Sequence, residues 1–251
     1  MAASNILLFG GSGKVARHIT RQLASAGYTV HSIIRKAEQS ASIEALGGKP
    51  VVQSIEDSSV DDMAKLMKAS NTQAVIWSAG AGAGNPDRTR AVDRDGAIRS
   101  MDAAAKAGVK RYIMVSAIDV RDREARPVPE WYDDSDKERS DRVWKAIGPY
   151  MDAKLAADRS LVAENGRRGL EWTIVRPTTL SEDAGVGKIE AGKVRTTEKI
   201  SREDVAAVVA ECLKRDGTKG MAIDCVGGST PIADAIARAV EEKADAFEGR
   251  Y

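Results

Sequence analysis

Cysteine and histidine are scarce in this chain: Cys212, Cys225, His18 and His31 are the only ones among 251 residues. So few rule out a disulfide framework and are poorly placed for a four-ligand zinc site, so no metal is expected and a reducing compartment is the natural setting. Aromatic residues make up only 4% of the chain. Charge of either sign is balanced, 38 basic against 37 acidic side chains, and the net +1 gives no global field for a phosphate polymer or an anionic bilayer. Neither a nucleic-acid nor a membrane partner is expected. A long apolar run is missing as well: Ile6 to Phe9 leads straight into glycines, which is neither a signal-peptide core nor a membrane span, and a cytoplasmic protein is expected. Proline-glycine linkers, internal repeats and low-complexity tracts are also absent, which argues for one domain over residues 1–251.

What is present is an alternation. Short β-branched runs (NILLF, YTVHSII, KPVVQS, QAVIWS, KRYIMVSA, LEWTIVR, GMAIDC) are separated by amphipathic stretches near 14–26, 58–69, 88–107, 150–164 and 202–213, with a last helix from Ile232. This is the pattern of parallel strands joined by crossover helices, and near-continuous apolar runs such as ILLF suit strands buried on both faces. An α/β class follows, with a doubly wound parallel sheet of about seven strands. One irregular insert, 119–148, is dense in charge and carries Trp131, Tyr132 and Trp144, which either cap a substrate or anchor the insert to the core. Its charges, Asp133, Asp134, Lys137, Glu138 and Arg139, are expected to face water.

The segment Gly10-Gly11-Ser12-Gly13-Lys14-Val15-Ala16 follows the first strand and opens the first helix, satisfying both G-x-G-x-x-A and G-x-x-G-x-x-A. Glycines permit the sharp turn and close approach to a pyrophosphate, Ala16 lets helix and strand pack, and N–H groups at the helix start meet phosphate charge. An NAD site usually ends its second strand in Asp or Glu; here Arg35 and Lys36 follow HSII, where the 2′-phosphate of NADP would lie. NADP is the expected cofactor. Ser78-Ala79-Gly80 closes the fourth strand and lets backbone run beneath the nucleotide.

Ser116 ends the fifth strand, and Tyr150 and Lys154 stand four apart on one face of a later helix. Carbonyl reduction by hydride uses such a trio. Tyr150 supplies the proton, the Lys154 ammonium stabilises the phenolate, and Ser116 hydrogen-bonds the substrate oxygen.

With GGSGKVA, IIRK, WSAGAG, VSA, YMDAKLAADR and VRPTTL in place, the chain resembles an atypical short-chain dehydrogenase/reductase. The nearest group is the NmrA-like and biliverdin-IX-beta reductase (flavin reductase) proteins. The resemblance implies a Rossmann fold of strand order 3-2-1-4-5-6-7 with a small C-terminal cap, and NADP across the turn. It also implies catalytic roles for Ser116, Tyr150 and Lys154, with Tyr150 and Lys154 touching the cofactor too. By the same resemblance Val175, Pro177 and Thr178 correspond to the stretch that lies along the nicotinamide, and Ile55 and Glu56 complete the expected cofactor-binding set. Two departures stand out: Ala117 replaces the second strand-end serine, and 33 residues lie between Ser116 and Tyr150. The expected activity is NADPH-dependent reduction of a small carbonyl, quinone or flavin-like molecule by a monomer or homodimer. An NADP-binding sensor without turnover is the alternative. A nucleotide-sugar epimerase or dehydratase ranks last, since only 75 residues follow Arg176 to build a sugar pocket.

Overall fold

The apolar runs become strands and the amphipathic stretches become the helices between them. The structure is a computed structural model describing residues 5–82, 85–196 and 198–248. In chain order it contains β1 (Asn5–Phe9), α1 (Lys14–Ser25), β2 (Thr29–Ile34), α2 (Ser40–Glu44), β3 (Lys49–Val52), α3 (Val60–Ala69), β4 (Ala74–Trp77) and α4 (Pro86–Thr89). A π-helical turn, Arg90–Gly96, continues into α5 (Ala97–Ala107), β5 (Arg111–Val115), α6 (Asp134–Ala163), α7 (Asn165–Arg168) and β6 (Glu171–Pro177). Then come β7 (Leu180–Ser181), β8 (Lys188–Gly192), β9 (Ile200–Ser201), α8 (Arg202–Lys214), β10 (Met221–Gly227), β11 (Thr230–Pro231) and α9 (Ile232–Glu241).

Seven strands pair in parallel in the order β3-β2-β1-β4-β5-β6-β10, as the resemblance implies. Beyond β10 the short β8 and β11 add antiparallel, making nine strands rather than about seven. The remaining C-terminal addition is a two-stranded β7–β9 ribbon. The chain reverses its winding between β1 and β4, so the carboxyl ends of these strands diverge into a crevice, the usual ligand site of such sheets.

Alternate residues of each central strand enter opposite layers. Ile6, Leu8, Ile76, Ile113 and Val175 pack with α1, α8 and α9, while Leu7, Phe9, Trp77, Tyr112 and Ile174 pack with α3, α5 and α6. Both faces are dry, which is why the strands read as continuous apolar runs. Cys212 and Cys225 are buried, free packing residues in the first layer.

The insert is more ordered than its composition suggests. Helix α6 begins at Asp134, capped by Asp133, whose Oδ1 accepts from the Asp136 N–H at 3.0 Å. It kinks at Ile147 (φ −133°, ψ 29°) because Pro149 has no N–H and its ring crowds the preceding turn. The helix expected from Tyr150 is thus the second arm of a longer one. The first arm is tied down by Asp119, which accepts from Arg121 Nε (3.0 Å), Ser140 Oγ (2.6 Å) and Trp144 Nε1 (3.1 Å). Trp131 meets the buried Tyr132 edge-on. The aromatic cluster therefore anchors the insert.

Candidate active site

The glycine turn divides its work among residues. Gly10 has φ +81°, and a Cβ there would sit 2.5 Å from Ala79 Cα, so only glycine lets the turn close against the end of β4. Gly11 faces away from the crevice lining: its N–H donates to Ile33 O at 2.7 Å, and a Cβ would meet Ser32 Cβ at 2.7 Å. Expected as a cofactor contact, it instead packs the turn onto β2. Gly13 caps α1 without a side-chain bond, and no acidic residue occupies the first turn. The N–H groups of Lys14, Val15 and Ala16 precede any helical acceptor and carry the positive end of the helix dipole.

Three adjoining cavities run from this turn. The first, about 210 Å³, is lined by Gly10, Ser12, Gly13, Arg35, Ile55, Glu56, Ser78, Ala79 and Gly80, together with Gln53 and Arg88. Arg88 Nε donates to Glu56 Oε1 at 3.1 Å and Nη1 donates to the Ala81 carbonyl. Lys36 is exposed and absent from this lining, its N–H being held, like that of Arg35, by Gln39 Oε1 (3.1 and 3.2 Å). Of the two expected 2′-phosphate cations, Arg35 alone borders the cavity.

The second cavity, about 330 Å³, shares Gly13, Ser78, Ala79 and Gly80 with the first and adds Lys14, Val15, Asp93, Ser116, Tyr150, Lys154, Pro177 and Arg202. Lys14 Nζ is 2.5 Å from Glu182 Oε1, which Arg202 Nη1 also meets at 2.9 Å. The third, about 200 Å³, lies beyond Tyr150 and Pro177 and is walled by Ala117, Ile118, Asp119, Arg139, Val143, Met151 and Thr178 among others. Val175 lines none of the three; it is wholly buried in the sheet. Arg139, expected in water, has its Nε buried at the third cavity.

Ser116, Tyr150 and Lys154 come together despite the long insert, because β5 and the second arm of α6 both border the crevice. Lys154 is buried, with its Nζ 5.6 Å from the Tyr150 ring centroid, 3.1 Å from Asp93 Oδ1 and 3.4 Å from the Val115 carbonyl. Burial opposes its charge, but Tyr150 and the Asp93 carboxylate outweigh that and raise its pKa above the ordinary lysine value. Burial likewise raises the pKa of Tyr150 against the pull of Lys154, which keeps the phenol protonated. Asp93 sits in the π-helical turn, and its Oδ2 accepts from the Ala81 N–H at 2.8 Å, joining the lysine to the loop after β4.

Ser116 is not simply aimed at a substrate. Its Oγ donates to Asp158 Oδ2 at 2.7 Å. Asp158 is fully buried, and desolvation pushes its pKa up to about 6 against the opposing Arg176, Ser116 and Lys154. Arg176 lies behind it, 2.9 Å from Asp224 Oδ1, and burial pushes Asp224 up to about 7 against the same arginine. One guanidinium thus serves two buried carboxylates beneath the site.

The motif reading missed Asp93, Asp158, Arg88 and Arg202. Asp158 was readable, since Tyr150, Lys154 and Asp158 recur every four residues on one helix face. Asp93 belongs to no motif; only the close approach of the π-helical turn to α6 reveals it.

Residues 10–216 match the NAD(P)H-binding family. The chain belongs to that family. It is 38% identical over 232 residues to the UPF0659 protein C216.03 of Schizosaccharomyces pombe, covering 92% of this chain and 93% of the relative. It is 35% identical over 233 residues to an uncharacterized sugar epimerase, YhfK, of Bacillus subtilis, covering 92% and 98%. Among solved structures it is similar to the oxidoreductase ylbE of Lactococcus lactis, with 27% identity, a TM-score of 0.76 and coverage of 94% and 97%. The residues lining all three cavities fall within the matched stretch. Among the described residues, no helix is long and apolar enough to cross a membrane.

Proposed function

We propose that this chain is an NADPH-dependent oxidoreductase that reduces a small carbonyl, quinone or flavin-like compound. The place of Tyr150 carries the reading: it lines both the cavity opening from the glycine turn and the one beyond, with the Lys154 ammonium beside its ring. The crevice fits the dinucleotide. The start of α1 offers N–H groups without a side-chain cap, Arg35 borders the far cavity, and β2 ends without the acidic residue that a free 2′-hydroxyl favours. Gly10, Ser12, Gly13 and Val15 would hold the pyrophosphate, Arg35 the 2′-phosphate, Lys154 the nicotinamide ribose, and Pro177 and Thr178 the nicotinamide edge. Bound there, the reduced nicotinamide supplies the hydride.

The protein's own part is proton supply and orientation. Tyr150 gives its phenolic proton to the substrate oxygen, and Lys154, held by Asp93, stabilises the phenolate left behind. While Asp158 is ionised it claims the Ser116 proton, and Ser116 offers lone pairs to the substrate. Once Asp158 is protonated it donates to Ser116, freeing the serine O–H for a carbonyl oxygen. A panel of aldehydes, quinones and flavins with NADPH, followed by loss of nicotinamide absorbance, tests the reading. Tyr150→Phe is expected to cut turnover by about 100-fold or more with cofactor affinity nearly intact. Unchanged turnover in that variant refutes the proton-donor assignment, and silence of the native protein across the panel favours a sensor.

The name of the Bacillus subtilis relative favours a second reading, sugar epimerisation, in which hydride leaves and returns with no net cofactor consumption. Against it, the chain after Arg176 is spent on β8, β10, β11, α8 and α9 around the sheet, not on a separate sugar domain. Stoichiometric NADPH oxidation separates the two.

A further inference from the structure

We infer that the substrate carries a carboxylate, which Arg139 holds in the cavity beyond Tyr150; the inference builds on the reductase reading above. That cavity measures about 200 Å³, below the roughly 300–1,000 Å³ of sites for drug-sized ligands, so it takes a small molecule. Ile118, Val143 and Met151 give it apolar walls. Arg139 lines it with its Nε fully buried and without a hydrogen-bond partner, and the side chain makes no ion pair with a described residue.

Asp119 shares the lining but is not the missing counter-charge. Its two oxygens already accept from Arg121 (3.0 Å), Ser140 (2.6 Å) and Trp144 (3.1 Å), and Arg121 balances its charge. Two of the threonine hydroxyls are committed: Thr178 Oγ1 donates to Thr196 O at 3.3 Å and Thr196 Oγ1 to Asp136 at 2.9 Å. Arg139 is therefore the one cation among the residues lining the cavity, half-buried and without an ion pair to a described residue. A buried N–H without a partner is costly, and each one in a native protein calls for an explanation, a bound molecule or ion among them. A guanidinium fork matches the two oxygens of a carboxylate. A single cation with no second one beside it suits a monoanion better than a phosphate dianion. Tyr150 on the same cavity fixes the other end of the molecule, so the class is an aldehyde or ketone with a short apolar body and a carboxylate.

The test compares para-formylbenzoate with its methyl ester as NADPH-dependent substrates. Native protein is expected to favour the acid in kcat/KM by at least about tenfold. Arg139→Gln brings the acid-to-ester ratio close to one, Arg139→Lys keeps part of the preference, and Arg142→Gln, on an exposed neighbour, keeps all of it. Equal rates for acid and ester in the native protein, or an unchanged ratio in Arg139→Gln, overturn the inference. If neither aldehyde is reduced, calorimetry of benzoate against benzamide on the NADPH-loaded protein decides. Benzoate binding that is tighter and depends on Arg139 upholds the anion site, and if the aldehyde, quinone and flavin panel is silent too the reductase reading alone is defeated. Equal binding of the two defeats the anion site.

Discussion

Replacing Asp158 by asparagine probes the buried charge beneath Ser116 through the pH dependence of stability. The carboxyl has an unfolded value of 3.8 and a folded value of about 6, raised by desolvation. Because the folded value is the higher, the native state holds the proton more tightly. The stabilisation from this group is complete below the unfolded value and is lost as pH rises through the folded one. The two-state linkage relation gives a loss of about 1 kcal/mol between about pH 5 and about pH 7 from Asp158 alone. Asp224, at about 7 when folded, adds a loss of about 2 kcal/mol over that interval by the same relation. The surface carboxylates with lowered values titrate below this window. His31, lowered by burial and then by Lys49, acts with the opposite sign in both proteins and cancels in their comparison. Urea unfolding followed by tryptophan fluorescence at several pH values reads the slope. Native protein is expected to lose stability from about pH 5 to about pH 7, and Asp158→Asn to lose about 1 kcal/mol less. An identical slope in the two proteins refutes the placement of a buried, titrating carboxyl under Ser116.

Two further outcomes follow from the cofactor cleft. Arg35 borders the first cavity and Lys36 does not, so Arg35→Ala is expected to weaken NADPH binding by about tenfold and NADH binding far less, whereas Lys36→Ala changes the preference little. Calorimetry with both nucleotides checks this, and equal native affinities remove the 2′-phosphate argument. Gly10→Ala forces a Cβ into a left-handed backbone 2.5 Å from Ala79 Cα, for an expected destabilisation of about 2–4 kcal/mol in urea unfolding. A loss under about 0.5 kcal/mol, within the range of neutral surface changes, shows that the turn has another way to close.

The strands were legible because each central one is dry on both sides, leaving unbroken apolar runs such as ILLF and YIMV. The short β8 and β11 were not: TP is too short to carry a period, and the alternation in KIEAG runs for only five residues near one edge of the sheet. The first arm of α6 hid behind its charges and the prolines before it, since a helix on the surface with few apolar residues reads as a loop until its cap at Asp133 is seen. At the site, spacing and strand ends pointed to Ser116, Tyr150 and Lys154. Nothing in the local sequence showed that Ser116 is bound to Asp158, that Asp93 holds Lys154, or that Gly11 packs on β2 instead of lining the crevice.

The amino-acid order by itself determined the alternation of strands and helices, the bend that ends the first strand, and the absence of an acidic residue after the second. Each is a short-range matter: periodicity, backbone freedom and side-chain type act within a few residues. The tertiary structure alone decided which ionisable groups share one desolvated space. Asp93, Lys154, Asp158, Arg176 and Asp224 come from four different elements, and charges interact through distance and local dielectric, not through position along the chain. The same holds for Arg139, which reads as a solvated charge in the sequence and is half-buried beside the third cavity, with its Nε out of reach of solvent, only through tertiary packing.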